Sequence, residues 1–104
     1  MYATHRRYEG IDPTRIDELT RKVNESLIPR LSQLPGFNGY FLIEAGEGVV
    51  RSTSLFETSA QAEDSTRVAA EWVEEETLAQ IIPNPPNVIV RKVIAHETKT
   101  PALA

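Results

Sequence analysis

Few side chains in this 104-residue chain have the type and spacing to do chemistry. His5 stands in an extended stretch near the start, and a histidine in a pocket can act as acid or base near neutral pH. Trp72 and Glu76 lie one helical turn apart. A carboxylate shielded from water beside an indole has its charged form disfavoured, which moves its pKa towards the range useful for proton transfer. Each residue also has a structural reading. His5 could be a hydrogen-bonded strand residue, and Glu76 could reach solvent with its neighbours Glu74 and Glu75. Tyr40, Ser65 and Ala69 complete a candidate ligand-binding set with Trp72. Tyr40 could offer a phenol or simply pack after Gly39, and the small residues Ser65 and Ala69 fit either a cavity or close helix-to-sheet packing. The strand residues Arg6, Arg7, Arg51, Arg91 and Lys92 could hold an anionic ligand or pair with glutamates.

Composition removes several classes of function. With no cysteine there is no disulfide, thiolate metal site or cysteine nucleophile, and the two histidines, His5 and His96, are too far apart in sequence to suggest a metal site. No glycine-rich phosphate loop and no Gly-x-Ser-x-Gly elbow occurs, so no cofactor is expected. The formal charge of −4 argues against nucleic acid as a partner. The start, Met1 to Arg7, lacks the apolar run of a secretory signal, and the expectation is a cytoplasmic protein with no membrane partner.

The elements that must position these residues follow from periodicity. Tyr2 to Glu9 reads as a strand closed by Gly10, and Asp12-Pro13 as an N-cap followed by proline at the first helical position. Ile16, Leu19, Val23, Leu27, Leu31 and Leu34 form one apolar stripe, and Pro29 predicts a kink or interruption near Leu27. Phe37 to Ala45 and Val49 to Glu57 read as a hairpin joined by Gly46-Glu47-Gly48, with Gly39 marking a bulge or close approach. Thr58 and Gln61 match a capping box that opens a second helix running to about Ile82, and Val88 to His96 reads as the last strand. On that helix Ala62, Ser65, Thr66, Ala69, Trp72, Val73 and Glu76 share one side.

The order βαββαβ with right-handed crossovers predicts an α+β, ferredoxin-like sandwich, a four-stranded antiparallel sheet with two helices on one face. The domain should span residues 1–97, leaving 98–104 as a flexible C-terminal tail. Both strand faces carry large apolar groups. Phe37, Phe41 and Ile43 oppose Tyr40 and Leu42, and Val88, Val90 and Ile94 oppose Ile89, Val93 and Ala95. Helices can cover only one face, so the other predicts a homodimer joined through the sheets into an α/β barrel.

Leu34-Pro35-Gly36-Phe37-Asn38-Gly39-Tyr40 at the first helix-to-strand junction, and Leu55-Phe56-Glu57 followed by Ala60 and Ala62, resemble the dimeric α/β-barrel superfamily and its antibiotic-biosynthesis-monooxygenase-like branch. The resemblance covers roughly Tyr2 to His96. It implies the barrel fold and a range of activities that includes cofactor-free monooxygenases acting on polycyclic aromatic or quinol substrates, haem-degrading enzymes, isomerases and proteins without assigned activity. Haem-degrading members are similar to one another in a first-strand Asn, a second-helix Trp and a haem-ligating His. Here His5 fills the strand slot, Trp72 can fill the aromatic one, and no histidine lies between His5 and His96. Other oxygenase-like members carry a histidine early in the second helix, where this chain has Ala62 to Thr66. Two readings follow. One is a non-enzymatic dimer that binds a small aromatic ligand or serves as an accessory protein. The other is a monooxygenase-like or isomerase-like enzyme using His5 and Glu76 on a flat, quinone-like molecule.

Overall fold

The computed structural model describes residues 1–97, so the expected tail 98–104 lies outside the described residues. Strand β1 (Tyr2–Tyr8) leads through a short loop to a helical segment built of unlike turns. Asp12 caps it by accepting a hydrogen bond from the Thr14 N–H at 2.9 Å, and Pro13 occupies the first position, where a missing N–H costs nothing. A 3-10 turn (Pro13–Arg15) runs into helix α1 (Ile16–Lys22), a five-residue π segment (Val23–Leu27) and helix α2 (Ile28–Ser32). The π segment is the interruption that Pro29 demands. Proline cannot donate to the preceding turn and its ring crowds that turn, and the wider register lets the Ile28 N–H reach the Val23 carbonyl instead. The apolar stripe survives the change, with Leu19, Val23, Leu27 and Leu31 buried.

Strands β2 (Phe37–Gly46) and β3 (Val49–Phe56) form the expected hairpin. Its two linking residues, Glu47 and Gly48, have φ of 54° and 75°, the conformation whose twist matches that of paired strands. The pairing of β2 with β3 is irregular between Phe37 and Gly39, the bulge that Gly39 marks. Gly36 holds φ +77°, a conformation strained for other residues, and a Cβ there would push the Gln61 amide out of its capping position.

Helix α3 (Ser59–Glu75) starts at the capping box. Gln61 N–H donates to Thr58 Oγ1 at 3.2 Å, and Thr58 N–H donates to Gln61 Oε1 at 3.1 Å. Thr58→Ala removes one half of this exchange and is expected to destabilise the protein by about 1 kcal/mol, read as a lower urea midpoint with unchanged slope. The helix ends at Glu75, not near Ile82. Glu74, Glu75 and Glu76 put like charge at the negative end of the helix dipole, Thr77 turns into the left-handed region at φ 55°, and a 3-10 turn (Leu78–Gln80) follows. That reversal carries Leu78, Ile81 and Ile82 back into the core.

Strand β4 is Asn87–Lys92, shorter than the expected Val88 to His96. Its partner β1 begins at Tyr2, which pairs with Lys92, so the ladder runs out of partner there and Val93 N–H makes a last bond to the Met1 carbonyl. The sheet order is β2-β3-β1-β4, antiparallel throughout, with both helical segments on one face. It is the ferredoxin-like α+β arrangement read from the element order. The core between helices and sheet is apolar at its ends, where Phe56 meets Phe37 edge-to-face at 5.7 Å and Tyr8 packs with Ile11 and Val50. Its middle is polar. Thr4, Arg6, Ser52, Ser54 and Ser65 are all buried there.

Candidate functional site

Strand alternation decides where each candidate residue lies. Arg6 pairs with Ser52 and Val88, and shares the helix-covered face with Thr4 and Tyr8. His5, one residue earlier, projects from the opposite, outer face, where its Nδ1 lies 2.9 Å from Thr53 Oγ1 and its ring is exposed. Trp72 and Glu76 belong to the helix side, so the sheet separates His5 from both.

Trp72 is 2% exposed and is one of the largest fully enclosed side chains. Its indole N–H donates to Ser26 Oγ at 3.0 Å, and Ser26 in turn donates to Glu76 Oε1 at 3.2 Å. Glu76 Oε2 sits 3.7 Å from the Lys22 ammonium. The π segment matters here because it carries Ser26, which ties the two helical segments together. Glu76 is thus a half-exposed, hydrogen-bonded end of a helix-to-helix clasp, and Trp72 is packed between the layers.

The remaining candidates divide between two concavities on the helix side. Tyr40 lies in a groove of about 440 Å³ between the first helical segment and β2, with Leu19, Val23, Ile28 and Leu42. Burial pushes its phenol up to about 12, and a hydrogen bond with Ser52 and the Arg6 charge pull the other way. Ala69 lies in a second pocket, of about 350 Å³, formed by α3, β1, β4 and the loop through Pro83-Asn84-Pro85-Pro86. Trp72 lines neither concavity. Ser65 is buried beneath the second pocket, donating to the Ala62 carbonyl at 2.6 Å and accepting from Arg6 Nη2 at 3.0 Å.

Arg6 is the residue whose importance the motif reading underrated. It is 2% exposed and lines the second pocket. Its other donations go to Ser54 Oγ at 3.1 Å from Nη1 and to Thr66 Oγ1 at 3.3 Å from Nη2, and its Nε–H has no acceptor among the described residues. Loss of solvent pulls its pKa below the usual arginine value, opposed by Tyr8 and then Tyr40. Tyr8, in the same pocket, has its phenol pushed up by burial and drawn back by the arginine. Parity with Thr4 and Tyr8 along β1 was the signal that places Arg6 inside. Its neighbour Arg7 instead pairs with Glu9 at 3.1 Å. Among the described residues no group of three His, Asp or Glu side chains converges as a metal site would require, and no helix is long and apolar enough to cross a membrane.

No family model and no curated protein matches this sequence. Solved structures do match. A protein of unknown function from Nitrosomonas europaea superposes with a TM-score of 0.74 at 19% identity, over 96% of this chain and 95% of that one. A candidate antibiotic biosynthesis monooxygenase from Bordetella bronchiseptica gives 0.71 at 18% identity, over 90% and 97%. A monooxygenase from Streptomyces coelicolor, solved with the ligand nanaomycin D, gives 0.69 at 13% identity, over 95% and 92%. The fold is that of the antibiotic-biosynthesis-monooxygenase-like proteins. Some structures of this fold are described as monooxygenases and others have unknown function, so at these identities the likeness defines architecture.

Proposed function

We propose that this protein is a homodimer that binds a small, mainly apolar aromatic molecule without transforming it, in the pocket between α3, β1 and β4. The observation that carries this reading is the pocket itself. Its volume of about 350 Å³ falls within the range of small-molecule sites, and its walls are mostly apolar, from Ala69, Val73, Ile82, Pro85 and Val88. Binding without turnover is supported by the placement of the groups that an oxygenase-like or isomerase-like reaction would use. His5 is on the far side of the sheet from Trp72 and Glu76, and Glu76 is held by Ser26 and Lys22. Dimerisation is supported by the outer face of the sheet, where Phe41, Ile43 and Ile89 stay 57%, 51% and 48% exposed in the single chain.

Neutral 1-naphthamide, a flat apolar probe, tests the pocket. Methyl resonances of Ala69, Val73, Ile82 and Val88 are expected to shift together and saturate, and the probe to be recovered intact after long incubation with oxygen. Shifts confined to residues around Tyr40 would move the site to the other groove. Chemical conversion of the probe would overturn the non-enzymatic reading.

A further inference from the structure

We propose that the pocket between α3, β1 and β4 takes an apolar molecule bearing a carboxylate or an equivalent monoanion, with the Arg6 guanidinium as its anchor. This rests on the pocket reading above and narrows it to a chemical class.

Arginine stays protonated in proteins, so Arg6 brings a full positive charge into the interior. It is almost completely buried, yet among the described residues no carboxylate forms an ion pair with it. Its acceptors are the hydroxyls of Ser54, Ser65 and Thr66, which satisfy N–H groups but carry no charge. A buried charge without a counter-charge is costly, and interiors normally avoid it by pairing. Arg6 borders two concavities; among the described residues neither is lined by a carboxylate, and in the pocket between α3, β1 and β4 Arg6 is the one charged lining residue. The described residues therefore supply no counter-ion, and an anionic ligand would.

The fork geometry shows how it would be held. Nη1 is engaged by Ser54, on the sheet. On the other edge of the guanidinium Nε is enclosed and has no acceptor among the described residues, and beside it the Nη2 bond to Thr66, at 3.3 Å, is the longest of the three and the one that must yield for a ligand to reach this edge. Carboxylates dock on this edge through two parallel hydrogen bonds, one from Nε and one from Nη2. Thr66 also lines the pocket, so its hydroxyl can turn from the arginine to the incoming oxygen. Apart from Tyr8 and Asn84 the other walls are aliphatic, and the prolines of the 83–86 loop stiffen the rim. Such a site selects one negative charge on an otherwise apolar body.

Calorimetry with 1-naphthoate and its neutral isostere 1-naphthamide tests this on the full chain at pH 7. The wild type is expected to bind the naphthoate at least tenfold tighter. Arg6→Met should reduce the naphthoate to the affinity of the amide, and Arg6→Lys should keep part of the preference. In the wild type, the Arg6 Nε–H resonance should shift on saturation with naphthoate and stay in place with the amide. Equal affinities for the two probes, or a preference that survives in Arg6→Met, would overturn the anion anchor while leaving the pocket standing. If neither probe binds, the pocket reading falls and the anchor with it. Should Arg6→Met fail to fold, the paired ligands and the Nε–H resonance in the wild type decide alone.

Discussion

Trp72→Ala is expected to cost the fold about 3–5 kcal/mol, the range for removing a fully buried aromatic side chain. The indole is 2% exposed and lines neither helix-side concavity, so its removal leaves a hole that the close-packed helix and sheet cannot fully collapse. The substitution also takes the donor away from Ser26, which links the π segment to Glu76 at the end of α3. Single domains of this size are stable by about 5–15 kcal/mol, so the variant should melt far below the wild type and can be partly unfolded at 37 °C. Urea unfolding followed by far-ultraviolet circular dichroism measures the loss without needing the tryptophan. A loss below about 1 kcal/mol would mean that the site collapses easily or that the indole borders space large enough to hold a ligand. That outcome, with weakened binding of aromatic probes, would restore Trp72 as a pocket wall and revive the enzyme-like reading.

How far the chain could be read in advance depended on the kind of information each residue carries. Asp12-Pro13, Thr58 with Gln61, and Gly46-Glu47-Gly48 act on backbone within a few residues of themselves, and each appears in the structure doing what its local chemistry requires. Pro29 forced an interruption, but the sequence does not say that it takes the form of a π segment, because that choice depends on how Ile28 finds a new acceptor. The ends of α3 and β4 differ from the periodic pattern for a related reason. Apolar Leu78, Ile81 and Ile82 continue a helical pattern on paper, yet they reach the core by turning back at Thr77. The end of β4 depends on where β1 starts, a long-range fact invisible to a local pattern. The site shows the same division. Small residues at 65 and 69 were recognised on the inner side of α3, whereas the pocket also needs Arg6 from β1 and the proline loop from residues 83–86, and only the packing of three distant segments brings these together. Arginine is so often a surface residue that its type argued against the burial its strand parity indicated.

Phe41→Lys combined with Ile43→Lys is expected to convert the proposed dimer, of twice the 11.6 kDa chain mass, into a monomer, with the circular dichroism spectrum unchanged. Both side chains project from the outer face of β2, as does Ile89 from β4, and Thr53 on β3 and His5 on β1 lie between Phe41 and Ile89. In a single chain this face is apolar surface that the helices cannot reach. Packed against a second copy, burying a Phe and an Ile contributes about 1.5–3 kcal/mol each, so losing both costs roughly a thousandfold or more in affinity before any charge is considered. Lysine adds a second effect. The outer face already carries Arg7, Arg51 and Arg91, with Arg51 paired to both Arg7 and Ile43, so an ammonium added at Ile43 meets like charge. Sedimentation at micromolar concentration separates the outcomes. A wild type that sediments as a monomer, or a double variant that remains a dimer, would remove the sheet-to-sheet assembly. Because the pocket of Arg6 and Ala69 lies on the helix side, the monomeric variant should still bind 1-naphthoate within a few-fold of the wild type. Loss of that binding would show that the second copy shapes the pocket through the sheet.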